Sequence, residues 1–235
     1  MKELDILYRD EHVLAVNKAP GLAVHAGTGH TERNLLELLR LHLAEQGLSL
    51  EQLAALAPAH RLDLHASGVL LFGLDKGALE ALRSAFEARQ VRKSYWVLVH
   101  GRCYPDGVIN RPLPNESGQL CPARTRYKRM GLAGGFSLLL VRTDGGRAHQ
   151  IRRHFQSIGH PVAGDARYGG ELRAARFETR FGVNRMMLHA RRLVLEPALF
   201  GKRLAIVASP DEGWRSVLDA LGLQPSEAQD GREKH

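Results

Sequence analysis

One aspartate, Asp63, lies in a polar stretch whose residue types are suited to chemistry. Residues 60–68 read HRLDLHASG, and they lead directly into the apolar residues 69–72. A carboxylate flanked by an arginine and two histidines, on a loop anchored by a buried strand, suits a rigidly mounted reactive group. An aspartate that only closes a turn is the alternative, because aspartate side chains often accept hydrogen bonds from turn backbones.

A second polar stretch, residues 143–155, places positive charge at the start of a predicted helix. It reads TDGGRAHQIRRHF, so glycines give way to a helix with one apolar face. That face is expected to consist of Ile151, Phe155 and Ile158. Backbone N–H groups and arginines at a helix start favour an anion, which is either a phosphate or, for Arg152, the carboxylate of Asp63. His149 and His154 are five residues apart rather than four, which argues against a zinc site on this helix.

The elements that must position Asp63 begin at the N-terminus. Short apolar runs at residues 4–8 and 13–16, separated by a polar turn, predict two strands of a hairpin. Leucines at spacings of three and four then predict a helix, with Thr31 or Asn34 available to cap its start. These elements are expected to pack rather than to carry chemistry.

The remaining periodicity predicts a chain of strands and helices. Residues 48–57 form a short helical or irregular stretch that Pro58 ends, and Asp75 caps a helix that reaches about residue 89. Apolar runs predict strands at residues 69–74, 93–100, 136–141, 192–195 and 204–208. Residues 211–221 form an amphipathic helix, and residues 170–184 are expected to be loop or loose helix.

Composition favours a globular chain with a polyanionic partner. The 235 residues include 33 Lys and Arg against 25 Asp and Glu, which gives a net charge of +8. Nucleic acid is the first partner to consider, although many basic proteins are only basic. With 44% hydrophobic residues, no internal repeat and no break in composition, residues 1–222 are predicted to form one domain and residues 223–235 a flexible polar tail.

The cysteines and the N-terminus indicate a reducing compartment. Cys103 and Cys121 lie far apart without a metal-ligand spacing, so both are expected to be free thiols. The N-terminal residues carry acids and no long apolar run follows them, so neither a signal peptide nor a membrane span is expected. We therefore expect a cytoplasmic protein.

Three polar features each leave two interpretations open. Tyr95, near the start of the strand at 93–100, either projects its phenol into a cleft or packs in the core. Lys18 either meets a phosphate or is simply solvated. The basic strand at residues 123–129 is either a solvated edge strand or a rim that faces RNA.

Several ordered motifs resemble one family, the RluA-type pseudouridine synthases. The motifs are His-Arg-Leu-Asp-x-x-x-Ser-Gly around Asp63, Asn17-Lys18 with Gly21, Lys93-x-Tyr95, Gly146 through Arg152, Gly159-His160-Pro161 with Gly164-Asp165-x-x-Tyr168-Gly169, and Leu188-His189-Ala190. Three positions depart from the family pattern: Ala19, Ala66 and Gly145. Ala66 replaces a threonine and removes a hydroxyl, which predicts a somewhat looser loop and unchanged chemistry.

The resemblance implies both a fold and an activity. The fold is α+β, a large mixed, mostly antiparallel β-sheet flanked by helices and loops, with a central active-site cleft. The activity is isomerisation of uridine in structured RNA, with ribosomal RNA slightly favoured over transfer RNA, by a monomer that needs no cofactor. The expectation is therefore an RNA-binding enzyme that acts as a monomer.

Family roles transfer to this chain residue by residue. The resemblance implies that Asp63 is the essential acid, that Tyr95 stacks on the target uracil and that Arg152 pairs with Asp63. Arg61 is expected to fill the gap left by the flipped base, and Leu188 to close the pocket. The other expected substrate contacts are His60, Arg147 and His149.

Two rival functions belong to other classes. A non-catalytic basic RNA-binding module explains the charge equally well, but it gives no reason for Asp63 to lie among arginines. A carboxylate hydrolase would need two cooperating acids, Asp63 with Asp144 or Asp165. The matched motifs instead supply one acid and several basic residues.

Overall fold

A computed structural model describes most of the chain and divides it into two units. Unit 1 comprises Met1–Arg92 and Arg192–Ser209, and unit 2 comprises Lys93–Arg191 and Pro210–His235. The residues described are 4–25, 34–115, 117–196, 200–201 and 203–225. The assignment of residues 1–222 to one domain stays a prediction, and most of the predicted tail, like Thr31, lies outside the described residues.

Unit 1 is built on three antiparallel strands that bury both of their faces. The predicted hairpin is confirmed as β1 (Ile6–Arg9) and β2 (Val13–Lys18), and β2 also pairs with β4 (Ser67–Gly73). A two-residue strand, β3 (Ala57–Pro58), adds to β4. Every residue of β4 is buried, which explains why its sequence is an apolar run rather than an alternation.

Helices cover both faces of this sheet. One face contacts α1 (Leu35–Glu45), and the opposite face contacts α3 (Lys76–Glu87). The short α2 (Leu50–Ala55) begins at Ser49 and precedes β3. Asn34 and Asp75 cap α1 and α3 through their side chains, as the sequence predicted. Ser67 and Gly68 already belong to β4, so the strand begins two residues before the predicted start at residue 69.

Unit 2 is built on a four-stranded antiparallel sheet. Its strand order is β5 (Arg92–His100), β10 (Phe136–Thr143), β9 (Arg124–Ala133) and β6 (Asp106–Asn110). The basic strand β9 is therefore flanked on both sides, which excludes the edge-strand alternative and leaves the RNA-facing rim as a prediction. A small hairpin of β7 (Leu113–Pro114) and β8 (Leu120–Cys121) was not predicted.

The described residues of unit 2 contain four helices. They are α4 (Gln150–Ser157), α5 (Ala166–Gly169), α6 (Glu171–Phe181) and α7 (Glu212–Ala220). Phe177 of α6 and Trp214 of α7 pack on the face of the sheet that presents Trp96 and Leu98. Of the two alternatives for residues 170–184, loop or loose helix, the structure shows mostly helix. Ile158 is 39% exposed, so it does not belong to the apolar face of α4.

The last strands complete unit 1. β11 (Leu188–Leu195) contains the boundary between the units, and its residues 192–195 pair antiparallel with β12 (Leu204–Val207). Strands and helices are segregated rather than alternating as parallel units, and the pairings within each unit are antiparallel, so the predicted α+β class is confirmed. Within the described ranges, no helix has the length and apolar character needed to cross a bilayer.

Candidate active site

Asp63 lies on the short loop that precedes β4. Its side chain is half-buried, whereas Arg61 and His65 on either side are exposed. The N–H of Ala66 donates to the Asp63 carbonyl over 3.0 Å, which closes a turn directly before the strand. Ala66 itself is only 2% exposed. The carboxylate is therefore mounted on a tight turn whose end is anchored in a fully buried strand.

A buried lysine ties this loop to the end of β2. Lys18 is 1% exposed, so neither phosphate contact nor simple solvation describes it. Its Nζ donates to the carbonyls of Ala19, Leu22 and Leu64 over 2.8, 3.0 and 2.9 Å. Leu64 directly follows Asp63, and its carbonyl also accepts the N–H of Gly21 over 2.9 Å. One ammonium group thus fixes the backbone next to Asp63.

His60 fixes the start of the same loop. The N–H of Leu71 donates to His60 Nε2 over 3.1 Å, and the imidazole packs on Phe86 with ring centroids 4.5 Å apart. These contacts orient the ring towards the interior of unit 1. Its predicted contact with substrate stays a prediction.

In unit 2, the register of the sheet places Tyr95 on the same face as α4. Tyr95 pairs with Val141, and Val141 pairs with Tyr127, so these three side chains share one face. The Tyr127 ring lies 5.4 Å from the ring of Phe155 on α4. Tyr95 is half-buried, and the helix over its face is the one that carries Arg152.

Arg152 is held by a buried carboxylate. Its Nε and Nη2 donate to Oδ2 and Oδ1 of Asp165 over 2.7 and 2.9 Å. The guanidinium carbon also lies 4.8 Å from the centroid of the Tyr168 ring. His149 Nδ1 lies 2.9 Å from the Tyr168 hydroxyl, so both predicted site residues, His149 and Arg152, contact Tyr168. The pairing of Arg152 with Asp63 stays a prediction.

Hydrogen bonds between side chains and backbone groups fix the start of α4. Gln150 donates to the Arg124 carbonyl over 2.9 Å and accepts the N–H of Arg147 over 3.2 Å. His149 adopts φ 53°, a left-handed conformation uncommon for a residue with a Cβ. Lys93 donates from Nζ to the Gly145 carbonyl over 3.0 Å, and burial lowers the pKa of Lys93. The glycine loop is therefore supported by a lysine, as the Asp63 loop is.

His154 is a structural residue. Its Nδ1 lies 2.8 Å from the Thr125 hydroxyl, and its Nε2 lies 2.9 Å from the Arg111 carbonyl. The carbonyl can only accept, so Nε2 donates and Nδ1 accepts from the hydroxyl. Burial lowers the pKa of His154, although the Arg111 carbonyl opposes this. Among the residues described, no group of three or more His, Cys, Asp or Glu is arranged to hold a metal ion.

The two candidate partner acids of a hydrolase are engaged with arginines. Asp165 forms the buried pair with Arg152. Asp144 accepts from Arg126 Nη1 over 2.6 Å and lies 3.9 Å from Arg124 Nε. Arg124 and Arg126 project from the exposed side of β9 together with Lys128, so this strand presents a basic surface. Each acid therefore has a cationic partner within unit 2.

Leu188 begins β11 and is buried. The segment before it is fixed by an ion pair between the buried Arg185 and Asp211, which also caps α7. Gly164 has φ 72°, and a Cβ there would lie 1.9 Å from the Arg185 carbonyl oxygen. The chain around Asp165 is therefore in close contact with the segment that leads to Leu188.

A comparison with protein families decides what these motifs belong to. The model of the RNA pseudouridylate synthase family matches residues 12–157, which is more than half of the chain. This protein belongs to the RNA pseudouridylate synthase family. The matched range contains Asp63, Tyr95 and Arg152, so the resemblance predicted from the motifs is confirmed.

Curated relatives of the RNA pseudouridylate synthase family are similar over nearly the whole chain. The tRNA pseudouridine synthase C of Pectobacterium carotovorum subsp. carotovorum is 32% identical and covers 93% of this chain, which spans 62% of that relative's length. The enzyme of the same name from Pasteurella multocida is 31% identical over 92% of this chain and 95% of its own length. The ribosomal large subunit pseudouridine synthase C of Vibrio cholerae is 34% identical over 86% of this chain and 64% of its own length.

Solved structures show the same fold. Human RNA Pseudouridylate Synthase Domain Containing 4 superposes with a TM-score of 0.78 over 94% of this chain and 95% of its own, at 24% identity. Human RNA Pseudouridylate Synthase Domain Containing 1 gives a TM-score of 0.71 at 24% identity, with 95% and 96% covered. These structures confirm the fold of the pseudouridylate synthases for this chain.

The sequence did not predict the supporting roles of four residues. Lys18 and Lys93 support loops, and Asp165 and Tyr168 hold Arg152. Their partners are far away in sequence, so periodicity gives no signal for them. The motifs Asn17-Lys18, Lys93-x-Tyr95 and Gly164-Asp165-x-x-Tyr168 did mark all four positions, without saying what each side chain bonds.

Proposed function

We propose that this protein is an RNA pseudouridine synthase that isomerises specific uridines in structured RNA. The observation that carries the proposal is the family match over residues 12–157, which includes the loop of Asp63, the strand of Tyr95 and the helix of Arg152. The supported, half-buried mounting of Asp63 suits a carboxylate that must keep one position while it reacts.

Each proposed role follows from the chemistry of the side chain. Asp63 is the essential carboxylate, and Arg152 is its ionic partner, which favours the charged form against the cost of desolvation. Tyr95 offers an aromatic face for the flipped uracil, and Leu188 closes the apolar wall of the pocket. Arg61 is exposed, as a residue that replaces the flipped base in the RNA must be. His60, Arg147 and His149 are proposed to contact the RNA around the target.

The reaction needs no oxidant and no second substrate. The bond between uracil N1 and ribose C1′ breaks, the base turns, and a bond forms between C5 and C1′. The proton on C5 is lost and N1 gains one, so atoms and electrons balance within the nucleotide and the solvent. Three roles of Asp63 satisfy this balance: attack on C1′, attack on the ring, or removal of a ribose proton.

Transfer RNA is the substrate that we put first. The relatives that this chain covers over nine-tenths or more of their own length are named tRNA pseudouridine synthase C, for example that of Haemophilus ducreyi. This reverses the slight preference for ribosomal RNA drawn from the sequence, and ribosomal RNA remains the second candidate because of the Vibrio cholerae relative. We propose that the chain acts as a monomer in the cytoplasm, where its free cysteines stay reduced.

The test is an isomerisation assay on both RNAs. Wild type and Asp63→Asn are incubated with C5-tritiated transfer RNA and ribosomal RNA, and tritium release is followed by mapping of pseudouridine. We expect product from wild type and at least a 1000-fold lower rate from the variant, on the order expected for loss of a reacting group. Equal product from both proteins would remove the assignment of Asp63.

The same assay separates the enzyme from a binding module. A non-catalytic module would bind RNA tightly and give no product with either protein on either RNA. Binding is measured by filter retention at several salt concentrations, because phosphate contacts make the affinity fall steeply with salt.

A further inference from the structure

Asp165, the ion-pair partner of Arg152, is the most deeply buried acid among the ion pairs of the described residues. The side chain of Asp165 is 1% exposed and that of Arg152 is 10% exposed. Burying such a pair is not by itself stabilising, because the cost of desolvating both charges offsets much of their attraction. A fork of two hydrogen bonds at 2.7 and 2.9 Å nevertheless fixes the plane of the guanidinium as a single bond would not.

The fork uses one edge of the guanidinium. Asp165 accepts from Nε and Nη2, which form the side edge of the guanidinium, so the end edge made by Nη1 and Nη2 is not part of the fork. Under the proposed function, Arg152 is the ionic partner of the Asp63 carboxylate.

Two aromatic side chains complete the support. The Tyr168 ring lies 4.8 Å from the guanidinium carbon, while its backbone N–H donates to Asp165 Oδ1 over 3.1 Å. The Tyr168 hydroxyl lies 2.9 Å from Nδ1 of His149, whose left-handed backbone precedes the first turn of α4. Asp165, Tyr168 and His149 thus support Arg152 from its side edge and from one face.

We infer that Asp165 is a positioning residue of the pseudouridine synthase reaction, which sets the rotamer of Arg152 in which its end edge serves the reactive carboxylate. The inference rests on the proposed function. It goes beyond that function because Asp165 acts through Arg152 and touches neither the RNA nor the reacting atoms. Misplacement of a catalytic partner by about 1 Å can cost on the order of 100-fold in rate, so the effect should be measurable.

The test needs a variant that removes the fork and keeps the helix cap. Asp165 also caps α5 by accepting the N–H of Tyr168, and serine is an equally good cap. Asp165→Ser therefore removes the fork alone. The matched control is Asp75→Ser, because Asp75 likewise caps a helix, accepting the N–H of Ala78, and also forms an ion pair, with His12.

The measurement is the single-turnover rate constant at saturating enzyme, with the RNA Kd and the Tm of each protein. We expect Asp165→Ser to lower the rate constant about 30- to 100-fold with a Kd within about threefold of wild type. Asp75→Ser should keep the rate constant within about threefold. Partial unfolding alone would lower the concentration of active enzyme, which raises the apparent Kd and leaves the rate constant at saturation unchanged.

A double-mutant cycle shows whether Asp165 acts through Arg152. Lysine cannot form the fork, so Asp165→Ser should cost less than about threefold when Arg152→Lys is already present. Equal losses in both backgrounds, or a wild-type rate constant for Asp165→Ser in an active enzyme, would overturn the inference and leave the proposed function intact. A wild type without activity on either RNA would overturn both the inference and the proposed function.

A second variant serves if Asp165→Ser does not fold. Tyr168→Leu keeps the ion pair and should lower the rate constant about fivefold, and an unchanged rate constant would count against the inference.

Discussion

Replacement of Lys18 by methionine should loosen the loop of Asp63 without touching the RNA. Lys18 donates to three backbone carbonyls and is almost fully buried, so methionine fills a similar volume and removes only the ammonium group. Each hydrogen bond from a charged group is worth about 1.5–3 kcal/mol, or about 4.5–9 kcal/mol for three. The desolvation cost that disappears with the charge offsets several kcal/mol of this. The expected net loss is about 2–4 kcal/mol.

For a chain of this size, that loss corresponds to a Tm lower by about 4–16 °C. Hydrogen exchange gives the local evidence, because the amides of Gly21 and Ala66 donate to the carbonyls of Leu64 and Asp63 in the same loop. Both amides should exchange faster in Lys18→Met than the global destabilisation explains. The single-turnover rate constant should fall at least tenfold while the Kd for RNA changes little.

The matched control is Lys76→Met, the same substitution at an exposed lysine of unit 1. It should change stability by no more than about 0.5 kcal/mol and leave the rate unchanged. A Lys18→Met protein with a wild-type Tm and wild-type amide exchange would refute the role in the loop. A higher Kd for RNA with an unchanged rate constant at saturation would instead indicate that Lys18 contacts a phosphate of the RNA.

Three further predictions concern the support of the site. Gly164→Ala should lower the free energy of unfolding by at least about 3 kcal/mol, because its Cβ would meet the Arg185 carbonyl. The control Gly170→Ala, also at positive φ but with open space around its Cβ, should cost about 1 kcal/mol in denaturant unfolding, and equal costs would contradict the packing argument. Because the pKa of His154 is lowered, the unfolded chain binds a proton below about pH 6.5 that the folded protein does not bind, so stability should be lost as the pH falls below this value. His154→Gln should make the unfolding free energy less dependent on pH in this range, and parallel curves for wild type and variant would contradict the prediction. Asn34→Ala should cost about 1 kcal/mol of unfolding free energy through loss of the α1 cap, and a change below about 0.3 kcal/mol would mean that the cap contributes little.

The sequence predicted elements whose signals are local. Asp75 caps a helix through the third residue after it, and the apolar run of Val13 to Val16 after a polar turn marks the second strand of the hairpin. These signals fall within a few residues of one another, so one stretch of sequence contains them completely.

The supporting contacts could not be predicted in this way. Lys18 and Leu64 are 46 residues apart, and Lys93 and Gly145 are 52 apart, so only the folded chain brings each pair together. The sequence left loop and loose helix open for α6 because Phe177 is its one buried residue, which leaves little apolar periodicity to detect. An edge position was one alternative for β9 because its charges alternate, but β6 pairs with it through the backbone and leaves those charges exposed.

The ammonium of Lys18 constrains how the loop before β4 can evolve. A single nitrogen must reach carbonyls from residues 19, 22 and 64, so inserting or deleting a residue between Lys18 and Leu22, or within the turn at Asp63, would move an oxygen out of reach. The exposed side chains of Arg61 and His65 take no part in this arrangement of carbonyls. Substitution of Arg61 or His65 therefore changes the exposed surface of the loop and leaves the carbonyls around Lys18 in place.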